Sequence, residues 1–306
     1  MKFQLTFLFI LFFQLLLFSQ EKKGKENLLD IIDISQIQIR TMKQCADLDS
    51  IKSKQIISDS IYRPYSEFWN GYVGGENSTI KWMKNAIPHL PHFLKRNSDV
   101  QASLLKPQLN EINRKMYRFT GHKATGKWYI AYGPAWTDLG GLGKMAMLID
   151  LSHESNSTNE RVVKMFPHEL THQIMTLSNP SEDNTALSVI LGEGFAVYIN
   201  QKFWKDKYTL AENLGYSEKE LKTCEEEWSF INDYFLANQS STNQSVIDSF
   251  RNRSVKLKPE LPGAIGYYIG YRITEQYVKL YGKNAWKDIF VKSPKEIISL
   301  IKKRNK

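Results

Sequence analysis

Residues 168 to 172 read His-Glu-Leu-Thr-His, a spacing with a direct chemical meaning. Side chains four apart on a helix stand on one face with their Cβ atoms about 5–6 Å apart, so two imidazoles can converge on one ion. Glu169, one position after the first histidine, then flanks the ion where it can hold a water instead of ligating. The chain has six histidines among 306 residues, and a chance match to this pattern is on the order of one in a hundred. Zinc in hydrolytic sites takes three protein ligands and keeps a fourth position for water, so a third ligand is required. The HExxHxxGxxH arrangement fails, because Met175 and Ser178 stand at its glycine and last histidine. Glu193, in Leu-Gly-Glu-Gly-Phe-Ala-Val-Tyr, is the candidate: it lies 21 residues after His172 and shares a helix face with Ala186, Val189, Ile190 and Val197. A carboxylate on an apolar face is costly unless it is paired or metal-bound, and an ion pair with a Lys or Arg is the competing reading.

These side chains need a helical frame. His168 and His172 share a stripe with Met165 and Met175, flanked by Phe166, Leu170 and Ile174, which predicts a largely buried face. Ser157 and Glu160 have capping-box spacing at its start. Pro167 removes one backbone hydrogen bond and predicts a bend, tolerable because only residues 168 to 172 must be helical. Further helices are expected from about Asp183 to Trp204, from Glu218 to Leu236 and from Gly263 to Tyr281. Upstream, Lys127–Tyr132 and Met145–Leu151 read as two strands joined by a glycine turn, Gly140–Gly143. The second strand reads equally as an edge that an extended peptide could join and as an ordinary sheet strand. From Glu26 to about Arg118 the pattern is mostly helical, opened by Leu28, Leu29, Ile31, Ile32 and Ile34 and broken at Pro88 and Pro91. The fold class is α+β, helix-rich with a small sheet preceding the HExxH helix. Residues 21–306 read as a single domain, with a helical part over 21–125 and the core over 126–306.

HELTH followed about twenty residues later by Glu-Gly-Phe-Ala-Val-Tyr resembles the gluzincin metallopeptidases. The segment Pro262-Gly-Ala-Ile-Gly-Tyr-Tyr-Ile-Gly-Tyr-Arg-Ile is similar to the Tyr-x-x-Gly helix of a bacterial group known as predicted Zn-dependent proteases. The likeness covers roughly residues 125 to 285. It implies a zincin-like fold and one Zn2+ per chain held by His168, His172 and Glu193. It also implies Glu169 as general base, Tyr267 as oxyanion donor with Tyr268 as its substitute, and a peptide or protein substrate. Pro167 departs from the usual pattern, and the aminopeptidase GxMEN motif is absent, so exopeptidase specificity does not follow.

Residues 1–20 have the layout of a secretory signal peptide: Lys2, an uncharged apolar run over 3–18, then Ser19-Gln20. This predicts a secreted or periplasmic protein, with an N-terminal membrane anchor as the alternative. Removing the leader takes away only Lys2 and lowers the net charge from +9 to +8. The remaining cations are dispersed, with no basic aromatic patch, which excludes a nucleic-acid module. Cys45 and Cys224 could form one disulfide but do not make a disulfide framework. No Cys stands near the expected cleavage site, so a lipid-modified N-terminal Cys is not supported. His89, His92, His122 and His153 read as surface or core residues. The sequence therefore supports an exported zinc peptidase. Its alternatives are a non-catalytic cell-envelope binding protein on the same fold and a zinc hydrolase of a non-peptide substrate.

Overall fold

The computed structural model describes residues 29–142, 146–178 and 184–304. The expected leader, the end of the glycine turn at Gly143 and the helix start at Asp183 lie outside the described residues. Contacts cluster into two compact units, residues 1–163 and 164–306.

The first unit begins with β1 (Asp30–Asp33) and continues through α1 (Ser35–Cys45), α2 (Ser50–Ile57), α3 (Ser66–Val73), α4 (Glu76–Ala86), α5 (Leu90–Asp99) and α6 (Ala102–Thr120). Three strands follow, β2 (Lys127–Ala131), β3 (Leu139–Gly141) and β4 (Ala146–Asp150). Together with the helices they make the α+β architecture that the sequence predicts. Strand order is β1-β2-β4-β3; β1 and β4 both run parallel to β2, and β3 runs antiparallel to β4. Two expectations change here. Ile31 and Ile32 lie in a strand, not in the opening of a helix, because they pair with Trp128 and Tyr129 almost a hundred residues away. The strand ending at Asp150 is interior, with neighbours on both sides, and so offers no edge to a peptide.

Trp128, Ile130, Leu148 and Ile149 are fully buried, which is the burial of parallel strands covered on both faces and explains their unbroken apolar runs. Beyond β2 the ladder is continued by a side chain. Gln38 on α1 donates to the Tyr132 carbonyl and accepts from the Tyr132 amide, both at 2.8 Å. At the end of β4 the buried Asp150 carboxylate accepts from the Tyr72 hydroxyl (2.5 Å), from the amides of Gly133 and Ala135 (2.9 Å each) and from that of Ser152 (2.8 Å). Burial pushes its pKa up, and these four donors oppose the shift. Gly133 is required there, because a Cβ would lie 2.3 Å from the Tyr72 ring.

Helix α7 (Asn159–Ser178) carries the HExxH residues, and Pro167 lies within it. Thr158, not Ser157, accepts from the Arg161 amide at its start. The second unit continues with α8 (Ala186–Phe203), α9 (Leu210–Leu214), α10 (Glu218–Glu226), α11 (Trp228–Asn238), α12 (Gln244–Arg251), α13 (Ile265–Tyr281) and α14 (Pro294–Arg304). The long helix expected over 218–236 is broken at Glu227, between α10 and α11. Helix α8 is the hub. It is apolar on nearly every side, with Ile190, Leu191, Phe195, Ala196, Val197 and Ile199 all buried, as expected for a helix enclosed by others. It meets α13 backbone to backbone: a Cβ on Gly194 would lie 2.0 Å from the Gly270 carbonyl carbon, and one on Gly270 would lie 1.9 Å from the Ile190 oxygen. Cys45 and Cys224 are free, buried thiols, and burial raises the pKa of both, that of Cys224 to about 12. Among the described residues no helix is long and apolar enough to cross a membrane.

Candidate metal centre

Helix α7 brings His168 and His172 to one face, with His168 almost fully buried. Helix α8 supplies Glu193, and its crossing with α13 at Gly194 and Gly270 fixes where that carboxylate stands. The His168 Nε2 and His172 Nε2 atoms are 3.1 Å apart, and Glu193 Oε2 lies 3.3 Å from the first and 3.1 Å from the second. Ligand atoms at about 2.0–2.1 Å around a tetrahedral zinc stand about 3.3 Å from one another. The triangle therefore has the size of one face of such a site. Among the described residues these three are the only group of His, Cys, Asp and Glu gathered closely enough to hold an ion. Among the described residues no Lys or Arg forms an ion pair with Glu193, whose close partners are the two histidines.

Charge in the cluster is strongly coupled. Burial opposes ionisation of Glu193, but the His172 charge and hydrogen bonds from both imidazoles outweigh it and hold its pKa well below the usual carboxylate range. Burial also disfavours protonated His172; Glu193, with Glu169 behind it, outweighs that and lifts its pKa to about 9. For His168 burial prevails and the pKa falls. His168 Nδ1 is buried with no hydrogen-bond partner among the described residues, whereas zinc-bound histidines commonly donate this proton to a carboxylate or carbonyl. Its ring is held by packing instead, nearly parallel to Tyr267 at an interplanar angle of 7° and a centroid distance of 6.1 Å.

Tyr267 is thus the tyrosine at the centre. Burial together with the nearby Glu193 charge pushes its pKa well above 10. Tyr268 points elsewhere, with its ring 5.8 Å from Trp228 and its hydroxyl accepting from Arg272 at 3.4 Å. Glu169 is partly exposed, and its charge reaches both His172 and Tyr267. The sequence reading missed Arg253, which follows α12 in an irregular segment and whose guanidinium lies 5.1 Å from the Tyr267 ring centroid. No spacing signal marks it. His153, read as an unassigned histidine, accepts from the Ser155 amide through Nδ1.

Residues 154–300, just under half of the chain, match the family model described as Gliding motility protein GldB. No curated protein and no solved structure gives a significant match. The matched segment contains His168, Glu169, His172, Glu193, Arg253 and Tyr267. It is a gliding-motility family and not a zinc peptidase family, which overturns the resemblance to the gluzincin metallopeptidases. The reading of the chain as an enzyme hydrolysing peptide bonds falls with it. The physical reason is that two histidines and a glutamate on facing helices are a metal-sized cluster, and the cluster does not dictate the reaction.

Proposed function

We propose that the chain is a non-catalytic, envelope-associated binding protein of the gliding-motility kind, whose second unit holds one Zn2+ through His168, His172 and Glu193. One observation carries the reading: three ligand atoms of zinc-type chemistry stand 3.1–3.3 Å apart inside the segment similar to the gliding-motility family. Two imidazole nitrogens and a carboxylate oxygen are a donor set that zinc accepts readily. Bound zinc would supply a Lewis-acidic position for a ligand atom and would tie α7 to α8. The protein residues do the rest: Tyr267 lies against the His168 ring, and the Gly194–Gly270 crossing sets the approach of α8. The expected signal peptide supports an envelope location. Both cysteines are buried within helices, so neither is available as a lipid attachment point.

The test is complementation of gliding in a strain lacking the chromosomal copy, with zinc measured on the same purified variants. His172→Ala should lose both zinc and gliding. Glu169→Gln should keep both, since a binding role does not need a base. Loss of gliding in Glu169→Gln with zinc retained would refute the non-catalytic role, and a zinc-free wild-type chain would refute the metal.

A further inference from the structure

Arg253 is held in a built position beside the metal cluster. Its guanidinium lies over two aromatic rings, 5.1 Å from the Tyr267 centroid and 5.9 Å from that of Tyr216. It also lies against the backbone of Gly215, where a Cβ would sit 3.2 Å from three of its atoms. The surroundings are themselves fixed. The Tyr216 hydroxyl donates to the Ala264 carbonyl at 2.9 Å, and Gly263 admits the Arg253 backbone so closely that a Cβ there would be 2.0 Å from the Arg253 oxygen. Despite this support, Arg253 has no ion-pair partner and no side-chain hydrogen bond among the described residues. Glu193 is held by the two histidines, Glu220, whose charge reaches Arg253, is bonded to Ser217, and the Arg253 charge is felt at both His168 and Tyr267. A guanidinium normally spends its planar fork of donors on an anion; here it lies over two aromatic rings and the residue is exposed to solvent.

We propose that Arg253 and the metal cluster together form a binding site for a carboxylate-bearing ligand, with Arg253 gripping the anionic group beside Tyr267. The inference rests on the metal reading above and adds the class of ligand. The charge balance favours a monoanion: zinc with Glu193 leaves one positive charge, Arg253 adds one, Glu169 removes one, and Glu220 beside Arg253 is offset by Lys256. A dianionic phosphate would overcompensate this and would call for a second cation. Two sources of such a group fit an envelope protein, the free C-terminus of a peptide and an acidic sugar carrying a lactyl or uronic carboxylate.

The experiment is calorimetric titration of the purified zinc-loaded chain with four probes: an N-acetylated pentapeptide with a free C-terminus, the same peptide as its C-terminal amide, N-acetylmuramic acid and inorganic phosphate. At least one carboxylate probe should bind ten-fold or more tightly than both the amide and phosphate, and the tighter of the two carboxylates names the source. Arg253→Gln should remove that preference while keeping about one zinc per chain and the wild-type melting temperature. Arg253→Lys, which keeps the charge and loses the fork, should restore only part of it. Equal binding of acid and amide, tighter binding of phosphate, or an unchanged preference in Arg253→Gln overturns the inference while leaving the metal reading in place. A wild-type chain without zinc overturns the metal reading instead, and the acid-to-amide ratio measured on that same protein still decides whether Arg253 recognises a carboxylate.

Discussion

Replacing Gly270 with alanine tests whether the α8–α13 crossing sets the metal cluster. The new Cβ would start 1.9 Å from the Ile190 carbonyl oxygen, and ordinary contact begins at 3.4 Å. The obstacle is helical backbone, which cannot swing aside as a side chain can, so the two helices must separate locally by roughly 1.5 Å. Overpacking of this kind costs about 1–3 kcal/mol. For a unit of this size that corresponds to a melting temperature lowered by roughly 3–10 °C. The same displacement carries Glu193, one residue before Gly194, away from His168 and His172, whose nitrogens now stand 3.3 and 3.1 Å from its Oε2. A shift of that size is large against the tolerance of a metal site of about 0.2 Å, so zinc affinity should fall by at least ten-fold. Gly194→Ala should do the same. The double variant should cost less than the sum of the two, because one separation relieves both clashes. Differential scanning calorimetry with competitive chelator titration measures both quantities. A Gly270→Ala protein that melts within 1 °C of wild type and holds zinc as tightly would refute the reasoning.

Tyr72→Phe removes one of four donors to the buried Asp150 carboxylate and should destabilise the first unit by about 1.5–3 kcal/mol, read as a lower urea midpoint with zinc content unchanged. Zinc affinity should rise with pH over the range 7 to 9, since metal must displace the proton that Glu193 holds on His172 up to about pH 9. The expected slope is close to ten-fold per pH unit, with about one proton released per zinc bound at pH 7.5, and a pH-independent affinity there would contradict the coupling. Tyr267→Phe removes a hydroxyl beside the cluster but no ligand atom, so it should keep zinc, and chelator titration should show a loss of affinity of at most ten-fold.

The metal cluster was legible because its signal is local: HELTH needs only one helix, and Glu193 stood out as a charge on an apolar face. Tyr267 was separable from Tyr268 only in three dimensions, since adjacent helix positions differ by about 100° in direction. The strands at 127–131 and 146–150 were visible as apolar runs, but β1 was not. Its four residues look like a helix opening until Trp128 pairs with them. The interior place of β4 was hidden for the same reason, because strand order depends on pairings remote in sequence. The Asp150 hub and Arg253 carry no spacing pattern: one is a lone carboxylate ending a strand, the other a lone cation in an irregular segment. Function was the least legible, because the residues that gather a metal ion do not state what the ion is for.

The two buried thiols turn the chain into its own recorder of unfolding. One lies in each compact unit, Cys45 at 2% and Cys224 at 0% exposure, and neither is ionised near neutral pH where a thiol reagent would attack. Labelling at either position must then wait for its own unit to open. Mass-resolved labelling of the unaltered protein would report two opening rates separately, and zinc should slow the second while leaving the first as it was.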